Sequence, residues 1–258
     1  MLMQWNCMAR SILIGDISFR NIHKNYNSIV CKYDQTKKDK AEDKCAEKNL
    51  HANSKNPNIC SFLAQGIYFS LESVSLGMKD FLFIEFESKL GSAAKRFNKS
   101  LGKIIESYEE INSGSINVSK GNSHDIRKGC STYATSGTTL TLSLISVALR
   151  EEWSLEKVFD IYFNFGEVDN NYLGQILVGL DPNSPNFDQL LLYFIEGFEN
   201  EDIKTAIGIM HEYIPVKHLK SKPILLLGLA SIMYHSSFLE KNNYRKSQSH
   251  IMQYSYSA

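Results

Sequence analysis

The stretch "SHDIRKGCSTYATSG", Ser123 to Gly137, governs how the rest of the chain is read. His124 and Arg127 stand three residues apart, the spacing that puts two side chains on one helical face. Behind them come Gly129, Cys130, Ser131, Ala134 and Ser136, all small, and Gly137 is a natural helix stop. The spacing therefore predicts one helix with two cation-capable side chains near its start, an arrangement suited to a phosphate. Taken alone the pair is weak, because the chain holds seven histidines and six arginines. A surface histidine beside an exposed arginine would give the same letters.

Outward from this helix the period stays helical in both directions. "TLSLISVALREEW" reads as the next helix, and Ser154 is placed to cap "LEKVFDIYFNF". Upstream, "AAKRFNKSLGKIIESYEEI" is helical, "NSGSINVSKGNS" is a flexible link, "FLFIEF" is a possible strand, and "NICSFLAQGIYFSLESV" is helical again. Nearer the start, "QWNCMARSILIG" reads as a helix end running into a loop. "DISFRNI" and "SIVCKYD" are strand-like and separated by the turn-rich "HKNYN". After the charged loop "QTKKDKAEDKCAEKN", "LHAN" is a candidate returning strand. The expected fold class is α+β, mostly helical, with a small antiparallel sheet near the N-terminus. Beyond Tyr172, prolines at 182, 185, 215 and 223 punctuate further helical patches, and the polar tail from 241 to 258 is expected to be disordered.

Composition narrows the function classes. The chain has 258 residues, 43% of them hydrophobic and 22% charged, ordinary values for a globular protein with a core. No apolar run reaches the roughly 18 residues of a membrane span. "PILLLGLASIM" is too short for one and reads as a buried helix, and the opening residues lack the pattern of a secretory signal. The five cysteines show no CxxC and no zinc-type spacing to histidine. They read as reduced thiols of an intracellular protein, with no metal and no cofactor expected. Net charge is zero, yet residues 1–130 carry 19 Lys and Arg against 14 Asp and Glu, while residues 131–258 carry 9 against 14. That split permits a basic face in the first half without requiring one.

Other residues stand in an ordered series with the His-x-x-Arg pair. Arg10 precedes Lys37 by 27 residues, Trp153 follows Arg127 by 26, and Tyr162 follows Trp153 by nine. The order Arg, Lys, His-x-x-Arg, Trp, Tyr resembles the tyrosine recombinases of the phage-integrase superfamily. The resemblance covers about Trp5 to Tyr172. The phrase "SHDIRKGCSTYATSG…ALREEWSLEKVFDIYFNFGEVDNNYLG" looks most like the recombinases of eukaryotic Crypton-type mobile elements.

The resemblance implies an enzyme that cleaves and rejoins DNA strands through a 3′-phosphotyrosine, acting as a homo-oligomer on DNA, without metal or cofactor. It implies a nuclear location if the source is a eukaryotic mobile element. Arg10 and Arg127 would hold the phosphate oxygens, since paired guanidinium donors match that geometry. Lys37 would protonate the leaving 5′-oxygen, His124 would assist proton transfer or hold the phosphate, and Trp153 would donate its indole N–H. Tyr162 would attack phosphorus. Lys38, Arg20 and Tyr172 are rivals for Lys37, Arg10 and Tyr162. Where many members of the family carry a Glu, three residues after the first arginine, this chain has Leu13. The family usually places a helical DNA-clamping domain ahead of its first arginine, and nine residues precede Arg10 here. The expected organisation is a catalytic domain over 1–180 without its clamp, a helical extension over 181–240, and the tail. Two alternatives stand beside this reading: a non-catalytic DNA-binding protein that keeps the fold, and a type IB topoisomerase.

Overall fold

Met8 ends the first helix, α1 (Leu2–Cys7), by turning into the left-handed region at φ 52°. The chain does not then run on as a loop. Arg10, extended at φ −70° and ψ 145°, starts a second short helix, α2 (Ser11–Gly15). The structure, a computed structural model, describes residues 1–33, 47–70, 82–83, 92–111, 121–137, 144–151, 167–185, 187, 192–194, 201–212 and 222–242. Within "DISFRNI" only Ile22 joins a strand, because Ser18 and Asn21 close a capped helical turn over Phe19–Asn21. Strands β1 (Ile22–Lys24), β2 (Ile29–Cys31) and β3 (Lys48–Leu50) form one antiparallel sheet in that order, with Ile22 opposite Cys31 and Ile29 opposite Leu50. The returning strand is Lys48–Leu50, so only Leu50 of "LHAN" pairs in the sheet and the strand begins two residues earlier than the sequence suggests. β2 and β3 are buried throughout, so the sheet is an interior element.

The remaining described helices are α3 (Ser61–Ser70), α4 (Ser92–Ile111), α5 (Ser123–Ser136), α6 (Leu144–Arg150), α7 (Glu167–Leu177), α8 (Glu201–Glu212), α9 (Lys222–Tyr234) and α10 (Ser236–Lys241). The architecture is thus mostly helical with a three-stranded sheet. "PILLLGLASIM" is α9, apolar on nearly all sides and buried. It crosses α3 where two glycines meet, and a Cβ on Gly228 would lie 3.0 Å from the Gly66 Cα. This close approach lets both helices share one core with the sheet, which Phe62, Leu63, Ile29, Leu50, Leu225 and Ile232 fill. The segment after residue 180 therefore contributes to the same core as the first 70 residues. A second, smaller cluster joins Met8, Cys130, Ala134, Val147, Leu173 and Leu177, with Trp5 and Ile126 packed against it. Among the described residues, no helix is long and apolar enough to cross a membrane. Most of "FLFIEF", the cap at Ser154 with the helix after it, and the tail from 243 onward lie outside the described residues.

Candidate functional site at the start of α5

Asn122 begins α5 with a reciprocal cap. Its side chain accepts from the His124 N–H at 2.8 Å, and the Asp125 carboxylate accepts from the Asn122 N–H at 2.8 Å. A cap of this kind contributes about 1 kcal/mol. The next residue, Ser123, joins four elements. Its N–H donates to Asn98 Oδ1 of α4 at 2.9 Å, its carbonyl accepts from Gln4 Nε2 of α1 at 2.7 Å, and its hydroxyl lies 3.2 Å from that of Ser11 in α2. Arg10 adjoins Ser11 and His124 adjoins Ser123, so the sequence-predicted arginine and histidine stand on segments joined through this serine pair. Arg10 is half-buried and His124 is exposed.

Arg127 lies one turn further along and turns inward, 5% exposed. Its Nε donates to Glu151 Oε2 at 2.8 Å, and its Nη2 donates to the Glu151 carbonyl. The Ser131 hydroxyl donates to the other oxygen of the same carboxylate. Glu151 is itself buried, so the pair is neutral as a unit and fixed in orientation. Removing one partner of such a pair costs roughly 3–5 kcal/mol, because the other charge is stranded. Among the described residues, Nη1 donates to none.

The small residues of α5 have a packing cause. The face at Gly129 lies against the Trp5 ring, and a Cβ there would sit 3.2 Å from it. The Cys130 thiol donates to the Trp5 carbonyl at 3.3 Å, and Ala134 is fully buried. Trp5 is pinned in turn by its indole N–H, 2.9 Å from the Leu177 carbonyl. Small side chains let α5 approach α1 closely enough to carry Arg127 to Glu151. Burial, with the Glu151 carboxylate as a further contribution, pushes the Cys130 thiol well up, so it stays protonated.

Beneath this site lies a polar interior that the sequence reading missed. Arg150, 1% exposed, spends both terminal nitrogens on carbonyls: Nη1 on Asn170, and Nη2 on Asn6 at 2.8 Å and Asn49 at 2.9 Å. Nη1 also reaches the Asn170 side-chain oxygen. Buried Lys48 donates to the Arg150 carbonyl. One side chain thus ties α6 to α1, β3 and α7 and sets the position of the next residue, Glu151. Burial pulls the guanidinium down to about 10, still charged at neutral pH. The Cys7 thiol is pulled down by a hydrogen bond from Cys31. The only hint in the sequence is the charged triplet Arg150-Glu151-Glu152 directly after the apolar "ISVAL".

Lys37, its rival Lys38, Trp153 and Tyr162 lie outside the described residues. Arg20 is exposed, while Tyr172 packs its ring 5.5 Å from that of Phe187. Among the described residues, no group of three or more His, Cys, Asp or Glu is placed to hold a metal ion. No family model matches the chain, and no curated protein or solved structure is significantly similar to it.

Proposed function

We propose that the chain cleaves and rejoins DNA strands as a tyrosine recombinase, with Tyr162 as nucleophile and a covalent 3′-phosphotyrosine as intermediate. The observation that carries the reading is the junction at Ser123. Through it the segment bearing Arg10 meets the first turn of α5, which bears His124 one turn before Arg127. Two arginines far apart in sequence are thereby held on adjoining elements, as a pair gripping one phosphate requires. The buried carboxylate of Glu151 fixes the Arg127 guanidinium before any substrate arrives. Preorganised charge of this kind stabilises a phosphorane-like transition state without reorganisation at the moment of reaction. In this scheme Lys37 protonates the leaving oxygen and Trp153 donates to a phosphate oxygen.

The test is a nicked duplex from which the cleaved fragment is lost, so that religation is blocked. The wild-type chain should form a covalent adduct stable to denaturant. Tyr162→Phe removes only the attacking oxygen and should abolish the adduct while leaving the fold intact. Tyr172→Phe should leave it. Trapping that survives the first change and disappears with the second would move the nucleophile to Tyr172.

The Glu151 pairing supports a second reading, a DNA-binding protein that keeps the fold without turnover. A residue that already accepts from Arg127 twice, from Nε through its carboxylate and from Nη2 through its backbone carbonyl, gives that arginine a structural reason to exist. Absence of any adduct, with duplex binding retained, would favour this second reading.

A further inference from the structure

Cys7 closes α1 and Cys31 closes β2, and both are fully buried in the main core. There the Cys31 thiol donates a hydrogen bond to the Cys7 sulfur. The pair sits beside two buried cations. Cys7 follows Asn6, whose carbonyl accepts from Arg150 Nη2 at 2.8 Å, and Cys31 stands opposite Lys48 in the sheet. Lys48 in turn donates to the Arg150 carbonyl. Cationic surroundings favour the thiolate, the form of cysteine that attacks. The two sulfurs are unequal. The bond from Cys31, with the Arg150 and Lys48 charges, holds the Cys7 thiol below its usual value although burial opposes them. Burial first, and then the neighbouring Cys7, push Cys31 well up. The other two described cysteines are engaged differently. Cys130 donates to the carbonyls of Trp5 and Ile126 at 3.3 and 3.0 Å, and Cys60 accepts from the Asn53 and Leu63 N–H groups at 3.4 and 3.5 Å.

From this arrangement we infer that Cys7 and Cys31 form an oxidation site, at which hydrogen peroxide converts the two thiols to a disulfide joining α1 to β2. In the first step the Cys7 sulfur attacks one peroxide oxygen and the O–O bond breaks. The Cys7 proton leaves with the other oxygen as water, and Cys7 becomes a sulfenic acid. In the second step the Cys31 sulfur attacks the Cys7 sulfur. The S–S bond forms, the S–O bond breaks, and the sulfenic oxygen leaves as water with the Cys31 proton. Two thiols are oxidised, one peroxide is reduced, and two waters are released. Peroxide reaches the buried pair through local opening of α1, which is six residues long and has no side-chain cap at its start. The disulfide holds against the sheet the helix that carries Gln4 to Ser123 and Asn6 to Arg150. The inference does not depend on the recombinase reading.

The experiment exposes the reduced, folded full chain to hydrogen peroxide, alkylates the remaining thiols with N-ethylmaleimide in denaturant, and maps the digest by mass spectrometry. The peptides of Cys7 and Cys31 should be recovered linked, lighter by the two thiol hydrogens, and dithiothreitol should separate them. Cys7 should leave the alkylated pool at least about tenfold faster than Cys60 or Cys130. Cys31→Ala removes the second thiol, so dimedone should then trap Cys7 as the sulfenic acid, whereas Cys7→Ala should leave Cys31 alkylated. Circular dichroism checks that both variants keep their helices, and the wild-type map decides even where a variant does not fold. Cys7 and Cys31 still fully alkylated after the treatment would overturn the inference. A link from either of them to Cys45, or a Cys7–Cys31 link that forms only in urea, would overturn it too.

Discussion

His51 shows how a single buried side chain couples this fold to pH. It follows β3 and is 3% exposed, and among the described residues its Nε2 has no hydrogen-bond partner. Burial, assisted by the Arg150 charge, lowers it from 6.5 to about 4. A histidine depressed in the folded state binds its proton more readily when unfolded. Its contribution to stability is therefore complete above the unfolded value of 6.5 and is lost as pH falls toward 4. A difference of this size corresponds to about 3 kcal/mol. Urea unfolding at pH 7 and pH 4.5 should show wild type losing more stability than His51→Gln over that interval. Parallel losses in the two proteins would mean that His51 is not the group responsible.

At the scale of elements, helix contacts decide which glycines are structural. A methyl on Gly66 in α3 would collide with the Gly228 carbonyl oxygen of α9, an atom of the backbone that has no rotamer to escape into. A methyl on Gly208 in α8 would meet nothing within 4 Å. Gly66→Ala should therefore lower stability by about 1–3 kcal/mol through overpacking, even after the helix-propensity gain. Gly208→Ala should raise it by about 1 kcal/mol. Thermal unfolding of the two single variants checks both signs. The same logic explains α5, where Gly129, Cys130 and Ala134 are small because Trp5 and the backbone of α1 lie against them.

For the whole molecule, the core joins the two ends of the described chain. Ile224, Leu225, Leu227 and Leu229 of α9 are buried with Phe62, Leu63 and Phe69 of α3 and with the strands. Removing α9 would expose α3 and the sheet that carries Lys48 and Asn49 beneath the site. A chain ending at residue 180 should therefore lose cooperative urea unfolding, followed by the fluorescence of Trp5 and Trp153, while the full chain unfolds in one transition. A cooperative transition in the shortened chain, at the same midpoint, would show instead that the C-terminal segment is an independent addition.

Local signals were legible in the residues alone. The stop at Gly137 ends α5, the 3.6-residue period draws α4, and unbroken apolarity marks α9 as buried, whereas the cap at Asn122 went unread. The antiparallel sheet was visible in two β-rich segments flanking "HKNYN", although the turn at Phe19–Asn21 shortened the first strand because Ser18 and Asn21 bond each other. What the residues did not disclose is which partners they meet. Arg127 finds Glu151 across 24 positions, and Ser123 meets Gln4 and Ser11 across more than a hundred. Arg150 gathers carbonyls from three other elements. Periodicity and capping are properties of neighbouring residues, so a sequence displays them directly. Desolvation of a charge depends on what the rest of the chain places over it. Only the tertiary structure decided that Arg127 and Arg150 are interior side chains, and that α4 leaves its lysines outside.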